Sequence, residues 1–247
     1  MSARKLALIG TGTMGRLHAR VITQSMRADL VRVIDPNESA GHPVAEQYGA
    51  AWVPELGSLA DVDGVIIAAA TESHHKLALN VIEQGKPLLV EKPVCGSLAE
   101  TREVLATAEQ HDVPLMCGLL ERYNPAVMTA QALLGEPIHV MAVRHSPYAP
   151  RIKTGVAWDL LVHDVDLAIQ MFGGATPTRT TSVAGYFHPE SVEGAEDTLD
   201  AVMSFQRGLA TVSASRVGQR KVRTMTVSEL DRLIEIDLLR RDVTIYR

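Results

Sequence analysis

A glycine-rich turn placed directly after a short apolar run constrains the fold of this chain more than any other feature. Residues 5–10 read KLALIG, a pattern typical of a buried strand, and residues 10–15 read GTGTMG. A G-x-G-x-x-G turn between a strand and a helix is the fingerprint of a dinucleotide-binding βαβ unit. In such a unit Gly10 forms the tight turn, Gly12 lets the backbone approach a pyrophosphate, and Gly15 allows close helix packing. The sequence therefore predicts a dinucleotide-binding domain at the N-terminus.

An acidic residue follows at the spacing expected for a contact to the cofactor ribose. Asp35 stands 20 residues after Gly15, at the end of a second apolar run. A carboxylate there accepts hydrogen bonds from the adenosine ribose hydroxyls and repels a 2′-phosphate, which favours NAD over NADP. The alternative interpretation is that the glycines only shape a turn and that Asp35 only begins an Asp-Pro-Asn turn. We predict NAD as the cofactor, with NADP as the alternative. The residues of the turn and second strand expected to bind it are Gly10, Thr11, Gly12, Thr13, Met14, Gly15 and Asp35.

The first half of the chain alternates between strand-like and helix-like segments. Further strands are expected at residues 30–35, 50–53, 63–70, 86–93 and 113–118, and helices at 14–25, 75–85 and 97–111. The last helix opens with Ser97 and Glu100, which have capping-box spacing. Strands that alternate with helices predict a doubly wound parallel sheet. We therefore predict an α/β Rossmann domain over residues 1–120.

The pattern changes in the second half. We expect helices from Pro125 to Gly135 and over residues 156–172, a strand over 137–146, and several short strands from residue 178 onward. Gln206-Arg207-Gly208 fits a hairpin turn between two of these strands. Consecutive strands with short connections predict an α+β domain with an open antiparallel sheet over residues 121–247. Such a sheet leaves one face exposed unless another surface buries it, so we predict a homodimer or homotetramer that forms through this face.

Composition excludes several classes of protein. The 24 Lys and Arg residues against 29 Asp and Glu residues give a net charge of −5, which predicts no nucleic-acid partner. The sequence has no run of 18 apolar residues, so we predict no membrane span. The two cysteines, Cys95 and Cys117, predict no disulfide framework and fit a reducing cytoplasm.

Two stretches follow predicted strands at the edge of the sheet where doubly wound folds bind ligands. They read AATESHH over residues 69–75 and VEKPV over residues 90–94. We expect His75, Glu91 and Lys92 to contact the cofactor. Lys92 can also hydrogen-bond a substrate hydroxyl, and partial desolvation would lower the pKa of a lysine there toward a useful range. The alternative is that Glu91 and Lys92 form only a surface ion pair before a turn.

The stretch WDLLVHDVDL, residues 158–167, mixes charge with large apolar residues. Asp159 and His163 are four residues apart and so share one face of a helix. Oxidation of an alcohol with NAD requires a proton acceptor, and His163 and Lys92 are the candidates. One alternative makes Asp159 and His163 metal ligands, but a catalytic zinc needs a third ligand such as His74 or His75, so no metal is predicted. Another is a capped helix with a polar stripe.

The motifs GTGTMG, EKPV, ERYNP and GVAWDLLVHDVDLA together resemble those of the Gfo/Idh/MocA family, and the resemblance covers essentially the whole chain. It implies a Rossmann domain that binds NAD or NADP and an α+β domain that supports substrate binding and oligomerisation. It also implies that Lys92, Asp159 and His163 face the nicotinamide, with His163 as general base. Tyr123 and Thr71 would line the cofactor and substrate cleft.

Within the family, residues 149–167 and 234–247 are most similar to UDP-N-acetylglucosamine 3-dehydrogenases and related nucleotide-sugar or aminosugar oxidoreductases. Arg151 and Lys153 would then contact a phosphate or a sugar, although a solvated basic loop is the alternative. Trp158 departs from the family pattern, and we expect it to narrow the pocket or to stack on the substrate. The chain ends at Arg247, whereas longer relatives continue with a further helix.

These features lead to one functional hypothesis and two alternatives. The hypothesis is an NAD(P)-dependent oxidoreductase acting on a secondary alcohol or ketone of a sugar, cyclitol or nucleotide sugar. The alternatives are a biosynthetic keto-sugar reductase and an inactive dinucleotide-binding sensor or partner protein. The residues expected to bind the substrate are Lys92, Tyr123, Arg151, Trp158, Asp159 and His163.

Overall fold

The chain divides into two compact units, residues 1–118 and 119–247. The structure, a computed structural model, describes residues 2–150 and 152–247. The boundary between the units lies two residues before the one predicted from the sequence. Arg151, a predicted substrate contact, lies outside the described residues.

Strands and helices alternate along the first unit. The strands are β1 (Arg4–Ile9), β2 (Ala28–Ile34), β3 (Ala51–Val53), β4 (Gly64–Ile67), β5 (Leu88–Val90) and β6 (Leu115–Cys117). The helices are α1 (Thr13–Thr23), α2 (Glu38–Tyr48), α3 (Thr71–Glu83) and α4 (Leu98–Gln110). The Ser97 hydroxyl accepts a hydrogen bond from the Glu100 N–H at 3.2 Å, so α4 begins at the predicted cap.

The six strands form a parallel sheet in the order β3-β2-β1-β4-β5-β6. The strand order reverses between β1 and β4, and doubly wound sheets bind ligands at the carboxyl ends of the strands at that point. Every residue of β4 is buried, because helices cover both faces of such a sheet. The predicted doubly wound parallel sheet is confirmed.

Helix α2 is absent from the sequence prediction. It contains Pro43 and few large apolar residues, so its helical periodicity is weak. The Asn37 side chain caps the helix by accepting a hydrogen bond from the Ser39 N–H at 3.1 Å. Gly49, with φ of 69°, ends it in the left-handed conformation that glycine adopts without strain. Local capping therefore defines this helix where apolar periodicity does not.

The second unit combines two longer helices with a large sheet. Its helical segments are a 3₁₀ helix (Leu120–Tyr123), α5 (Pro125–Leu133), a π-helical turn (Ala157–Leu161) and α6 (Val162–Met171). Its strands are β7 (His139–His145), β8 (Arg179–Gly185), β9 (Thr198–Phe205), β10 (Gly208–Ser215), β11 (Val222–Ser228), β12 (Leu233–Asp237) and β13 (Asp242–Tyr246).

The second sheet has the order β13-β12-β11-β7-β10-β9-β8. Its pairs are antiparallel apart from β7 and β10, which are parallel. The predicted α+β domain with an antiparallel sheet is therefore confirmed, with one parallel pair inside a mostly antiparallel sheet. A helical crossover to β8 and two antiparallel connections, β8 to β9 and β9 to β10, separate β7 from β10, so the chain enters β10 in the same direction as β7. The turn between β9 and β10 is the predicted hairpin, with Phe205 paired to Gly208.

Helices α5 and α6 cover one face of this sheet. Ala142, Val212 and Met225 from three strands are buried there together with Leu167 and Ala168 of α6. The opposite face is exposed and carries several apolar side chains, namely Met141, Val183, Val202, Leu209 and Tyr246. No helix in the described part of the chain is long and apolar enough to cross a membrane.

Candidate active site

The glycine-rich turn places each glycine where its lack of a side chain matters. Gly10 has φ of +90°, and a Cβ there would lie 2.6 Å from the Ala69 nitrogen. A Cβ on Gly15 would lie 2.0 Å from the Gly10 carbonyl oxygen. Gly12 faces open space: apart from Gly12 and its two chain neighbours, no described residue has an atom within 4 Å of where its Cβ would stand. Gly10 and Gly15 therefore permit close packing, whereas Gly12 leaves room for a ligand.

The N-terminus of α1 fits the pyrophosphate of a dinucleotide. The helix begins at Thr13 with Gly12 as its N-cap, and among the described residues no side chain caps it. Its first turn contains no acidic residue. The first backbone N–H groups of a helix lack intrahelical partners and bind anions well. Gly12, Thr13 and Met14 are thus the residues whose backbone would hold a phosphate.

Asp35 connects the end of β2 to the glycine-rich turn. Its Oδ2 accepts hydrogen bonds from the N–H and hydroxyl of Thr11, at 2.9 and 2.6 Å. Its Oδ1 accepts a hydrogen bond from the Asn37 N–H at 2.9 Å, so Asp35 also begins the Asp-Pro-Asn turn. A carboxylate has about four acceptor positions. Three donors occupy Asp35, and the half-buried carboxylate can accept one more from a ribose hydroxyl.

The loop after β5 holds Lys92 beside a buried carboxylate. Glu91 is 6% exposed, and its Oε1 lies 2.7 Å from Nε2 of His18 on α1. Its Oε2 accepts a hydrogen bond from the backbone N–H of Lys92 at 3.3 Å. The Glu91 carboxylate therefore turns inward, toward α1, whereas the surface ion pair considered from the sequence would place it in solvent. Lys92 itself is half-buried.

The two histidines on α3 have different surroundings. His74 is buried, with Nδ1 2.9 Å from the Pro93 carbonyl oxygen and Nε2 3.0 Å from the Ala69 carbonyl oxygen. His75, the predicted cofactor contact, lies 3.0 Å from the Glu103 carboxylate on α4. Thr71 is half-buried at the start of α3. Over residues 2–150 and 152–247, no group of three or more His, Cys, Asp or Glu side chains could hold a metal ion.

The sequence predicted one regular helix over the stretch WDLLVHDVDL, but the structure has a π-helical turn followed by an α-helix. Trp158 and Asp159 belong to the π-helical turn, where the Val162 N–H donates to the Ala157 carbonyl oxygen, and His163 lies in α6. Such turns occur frequently at functional sites. Asp159 and His163 are half-buried and one turn apart, and Trp158 is 51% exposed.

A distant carboxylate supports the start of this helical segment. Glu196 accepts a hydrogen bond from the Ala157 N–H at 2.7 Å, and its carbonyl oxygen accepts one from the Val156 N–H at 3.1 Å. An acidic group at a helix N-terminus satisfies free N–H donors and interacts favourably with the helix dipole. The loop before β9 therefore positions the turn that carries Asp159. Lys153, just before this turn, is exposed.

A buried ion pair anchors α6 directly after His163. Asp164 is fully buried and accepts two hydrogen bonds from the Arg144 guanidinium on β7, at 2.7 and 2.9 Å. Arg144 also donates to Glu121 at 2.9 Å. Burial opposes ionisation of Glu121, but the charge and hydrogen bond of Arg144 outweigh it, so the pKa of Glu121 is lowered.

A second ion pair joins the same helix to the ERYNP segment. Arg122 donates to both carboxylate oxygens of Asp166, at 2.8 and 2.5 Å. Arg144 and Arg122 thus hold the polar side of α6 through its two aspartates, which gives Asp164 and Asp166 a role in orienting the helix. Tyr123, predicted to line the cleft, is 56% exposed in the 3₁₀ helix.

Comparison with known proteins identifies the family. The model for the oxidoreductase family with an NAD-binding Rossmann fold matches residues 4–119, and the model for the GFO/IDH/MocA C-terminal domain matches residues 127–228. This chain belongs to the GFO/IDH/MocA oxidoreductase family. Its first unit is therefore the NAD-binding Rossmann fold of that family, and the predicted resemblance is confirmed.

Several family members are similar over most of the chain. UDP-N-acetylglucosamine 3-dehydrogenase of Acidithiobacillus ferrooxidans is 30% identical over 98% of this chain and 76% of its own length. Its crystal structure has a TM-score of 0.91 at 29% identity, covering 100% of this chain and 81% of that one. Inositol 2-dehydrogenase of Rhizobium meliloti is 26% identical over 86% of this chain and 68% of its own length. The structure of GenD2 from gentamicin A biosynthesis, in complex with NAD, has a TM-score of 0.87 at 26% identity, covering 96% of this chain and 73% of that one.

Sequence reasoning did not single out three residues of this GFO/IDH/MocA member. They contact the predicted site residues or residues next to these. Arg144 anchors Asp164, Glu121 accepts a hydrogen bond from Arg144, and His18 contacts Glu91. Arg144 could have been found, because it falls on the alternating positions of β7 that are otherwise apolar, and a charge there requires a buried partner. His18 and Glu91 are 73 residues apart in the sequence, so no local sequence pattern indicates their contact.

We predict that Arg144→Met lowers the free energy of unfolding by about 3–5 kcal/mol, because it leaves Asp164 buried without its ion-pair partner. The double variant Arg144→Met/Asp164→Leu removes both charges and should recover most of this loss. Urea unfolding measures both changes. Arg240→Met, which breaks an ion pair whose arginine is 80% exposed, is the control and should cost under about 1 kcal/mol. A double variant that is as unstable as Arg144→Met would contradict the prediction.

Proposed function

We propose that this chain catalyses NAD-dependent hydride transfer at a secondary alcohol, or the matching ketone, of a sugar-like substrate. The observation that carries the proposal is the combination of an uncapped helix N-terminus beside Gly12 with the half-buried pair Asp159 and His163 in a GFO/IDH/MocA chain. The first feature suits a dinucleotide, and the second suits proton transfer. NADP is the alternative cofactor.

Each candidate catalytic side chain has a defined role in this proposal. NAD, when bound, accepts or returns the hydride. The His163 imidazole takes the hydroxyl proton during oxidation and returns it during reduction, since imidazole exchanges a proton readily near neutral pH. The Asp159 carboxylate, one turn earlier, orients the imidazole or a neighbouring substrate hydroxyl. Lys92 donates a hydrogen bond to the reacting oxygen and stabilises negative charge on it.

We further propose that the substrate is a nucleotide sugar, with cyclitols as the next class. The support is the 30% identity to UDP-N-acetylglucosamine 3-dehydrogenase over nearly the whole chain, compared with 26% for inositol 2-dehydrogenase of Rhizobium meliloti. Tyr123, Arg151 and Trp158 are the proposed additional substrate contacts. An indole that is 51% exposed can stack on a sugar ring. With two cysteines in the chain, the reducing cytoplasm is the proposed location.

Single substitutions of Lys92 and His163 test the catalytic assignment. We expect Lys92→Ala and His163→Ala each to abolish NADH formation, while NADH binding measured by fluorescence stays nearly unchanged. The assay uses NAD⁺ with UDP-N-acetylglucosamine, myo-inositol or scyllo-inositol. His111→Ala, at an exposed position after α4, is the control and should keep full activity. Full activity in both catalytic variants would contradict the roles of Lys92 and His163, whereas absence of NADH formation by the wild-type chain with all three substrates would favour a binding-only protein.

Asp35 is proposed to select NAD over NADP. We expect Asp35→Ala to relax the preference for NAD, because the repulsion between the carboxylate and a 2′-phosphate is lost. Affinity for NAD should also fall, since the hydrogen bonds that Thr11 donates to Asp35 hold the turn. The ratio of kcat/KM for the two cofactors measures the preference. Asp29→Ala, at an exposed position on β2, is the control, and an unchanged ratio in Asp35→Ala would assign selection to other residues.

The exposed face of the second sheet is proposed to form a homodimer or homotetramer. Met141, Val202 and Leu209 lie on three neighbouring strands of this face, and they are 45%, 41% and 38% exposed. Apolar patches of this kind mark interaction surfaces. We expect Val202→Arg to reduce the native mass measured by light scattering to that of a monomer. An unchanged mass in this variant would place the interface elsewhere.

A further inference from the structure

Lys92 lies between two residues whose polar groups are each contacted by a histidine from a different helix. Before it, the Glu91 carboxylate lies 2.7 Å from His18 of α1. After it, the Pro93 carbonyl oxygen lies 2.9 Å from His74 of α3. Neither histidine has a role in the function proposed above.

We propose that His18 and His74 are positioning residues for Lys92, with His18 acting through the carboxylate of Glu91 and His74 through the carbonyl of Pro93. The inference rests on the proposed role of Lys92 in catalysis. It concerns how the backbone on both sides of that lysine is held, and it adds no new contact to the substrate.

His18 is the side chain that satisfies one oxygen of the Glu91 carboxylate. The Glu91 side chain is 8% exposed and that of His18 is 13% exposed, so water contributes little to either group. A buried carboxylate that loses its partner must rotate, take up a proton or admit water. Each outcome changes the position or the acceptor strength of the other oxygen, Oε2, which accepts a hydrogen bond from the Lys92 N–H. The position of the Lys92 backbone therefore depends on His18.

Gly118 limits the movement of the same carboxylate from the other side. A Cβ at Gly118 would lie 2.8 Å from Oε2 of Glu91 and 3.1 Å from its Cα. The Gly118 N–H also donates to the Val90 carbonyl oxygen at 2.7 Å, which holds this glycine against the end of β5. Glu91 is thus confined between His18 and the backbone of Gly118.

His74 holds the other side of Lys92. His74 is 1% exposed, and its two ring nitrogens lie close to the carbonyl oxygens of Pro93 and Ala69. A carbonyl oxygen can only accept a hydrogen bond, so the position of the ring N–H decides which of the two close contacts is a hydrogen bond. His74 therefore joins the loop after β4 to the loop that carries Lys92.

Both contacts connect Lys92 to elements at the dinucleotide end of the sheet. His18 lies on α1, the helix whose N-terminus fits a pyrophosphate, and Ala69 lies 2.6 Å from where a Cβ of Gly10 would stand. A displacement of about 1 Å at a reacting group can lower a rate by about 100-fold. Accurate placement of Lys92 relative to α1 is therefore a condition for rapid turnover.

The first test removes each histidine. We expect His18→Leu and His74→Leu to lower kcat with NAD⁺ and UDP-N-acetylglucosamine by about tenfold or more, with little change in the KM for NAD⁺. His18→Gln and His74→Gln should recover much of the loss, because an amide can donate one hydrogen bond. His111→Leu, at an exposed position, is the control. Wild-type kcat in folded His18→Leu and His74→Leu would overturn the proposal.

A readout without turnover keeps the test independent of the substrate. In His18→Leu, hydrogen exchange of the Lys92 amide, followed by NMR with and without NADH, should become about tenfold faster, since its acceptor is no longer fixed. Glu91→Gln in the same background should add little, because His18 acts through that carboxylate. An unchanged exchange rate of the Lys92 amide, or fully additive effects of the two substitutions, would overturn the proposal that His18 acts on Lys92 through Glu91.

A glycine pair supplies a matched test that leaves both histidines in place. Gly118→Ala introduces a methyl group against Glu91 and should lower kcat and speed exchange at Lys92. Gly57→Ala, where no described atom lies within 4 Å of the new methyl group, should change neither. Equal behaviour of the two variants would contradict the inference. If Lys92→Ala keeps full activity, the proposed catalytic role of Lys92 fails, whereas a normal Gly118→Ala beside an inactive Lys92→Ala rejects only this inference.

Discussion

The close approach of α1 to the end of β1 is the constraint on which most of the first unit depends. A side chain at Gly15 would meet the Gly10 carbonyl oxygen at 2.0 Å, so the helix reaches this position only without one. That position exposes the first N–H groups of α1 to a ligand. It also brings His18, one turn further along, within 2.7 Å of Glu91. One steric condition thus places both the anion-binding end and the contact next to Lys92.

The second unit depends on a buried charge. Arg144 shares the inner face of β7 with the apolar residues Val140 and Ala142, and it is 2% exposed. A buried ion pair is weak support for stability, since desolvation offsets much of the attraction, but it strongly favours one arrangement of its partners. Here the partners are Asp164 on α6 and Glu121 at the start of the unit. The pair therefore sets the position of the helix that carries His163.

Local patterns made the fold predictable, and distant contacts limited what could be predicted of the site. Glycine spacing and apolar runs are local, so they indicated the parallel sheet and the turn from Gly10 to Gly15. Helix α2 was missed because its capping by Asn37 is stronger than its periodicity. The parallel pair β7 and β10 depends on chain path, which strand composition does not encode. His18 was missed because its partner is 73 residues away.

The dipeptides Glu91-Lys92 and His163-Asp164 follow one physical rule. In each, a buried carboxylate lies next to a side chain with a proposed chemical role, and neighbouring residues on a backbone point in different directions. The carboxylate binds a cationic or hydrogen-bonding partner from another element, His18 for Glu91 and Arg144 for Asp164. This contact fixes the backbone while the adjacent side chain stays available for the substrate. A buried acid beside a reactive residue is therefore better explained as an anchor than as a second catalytic group.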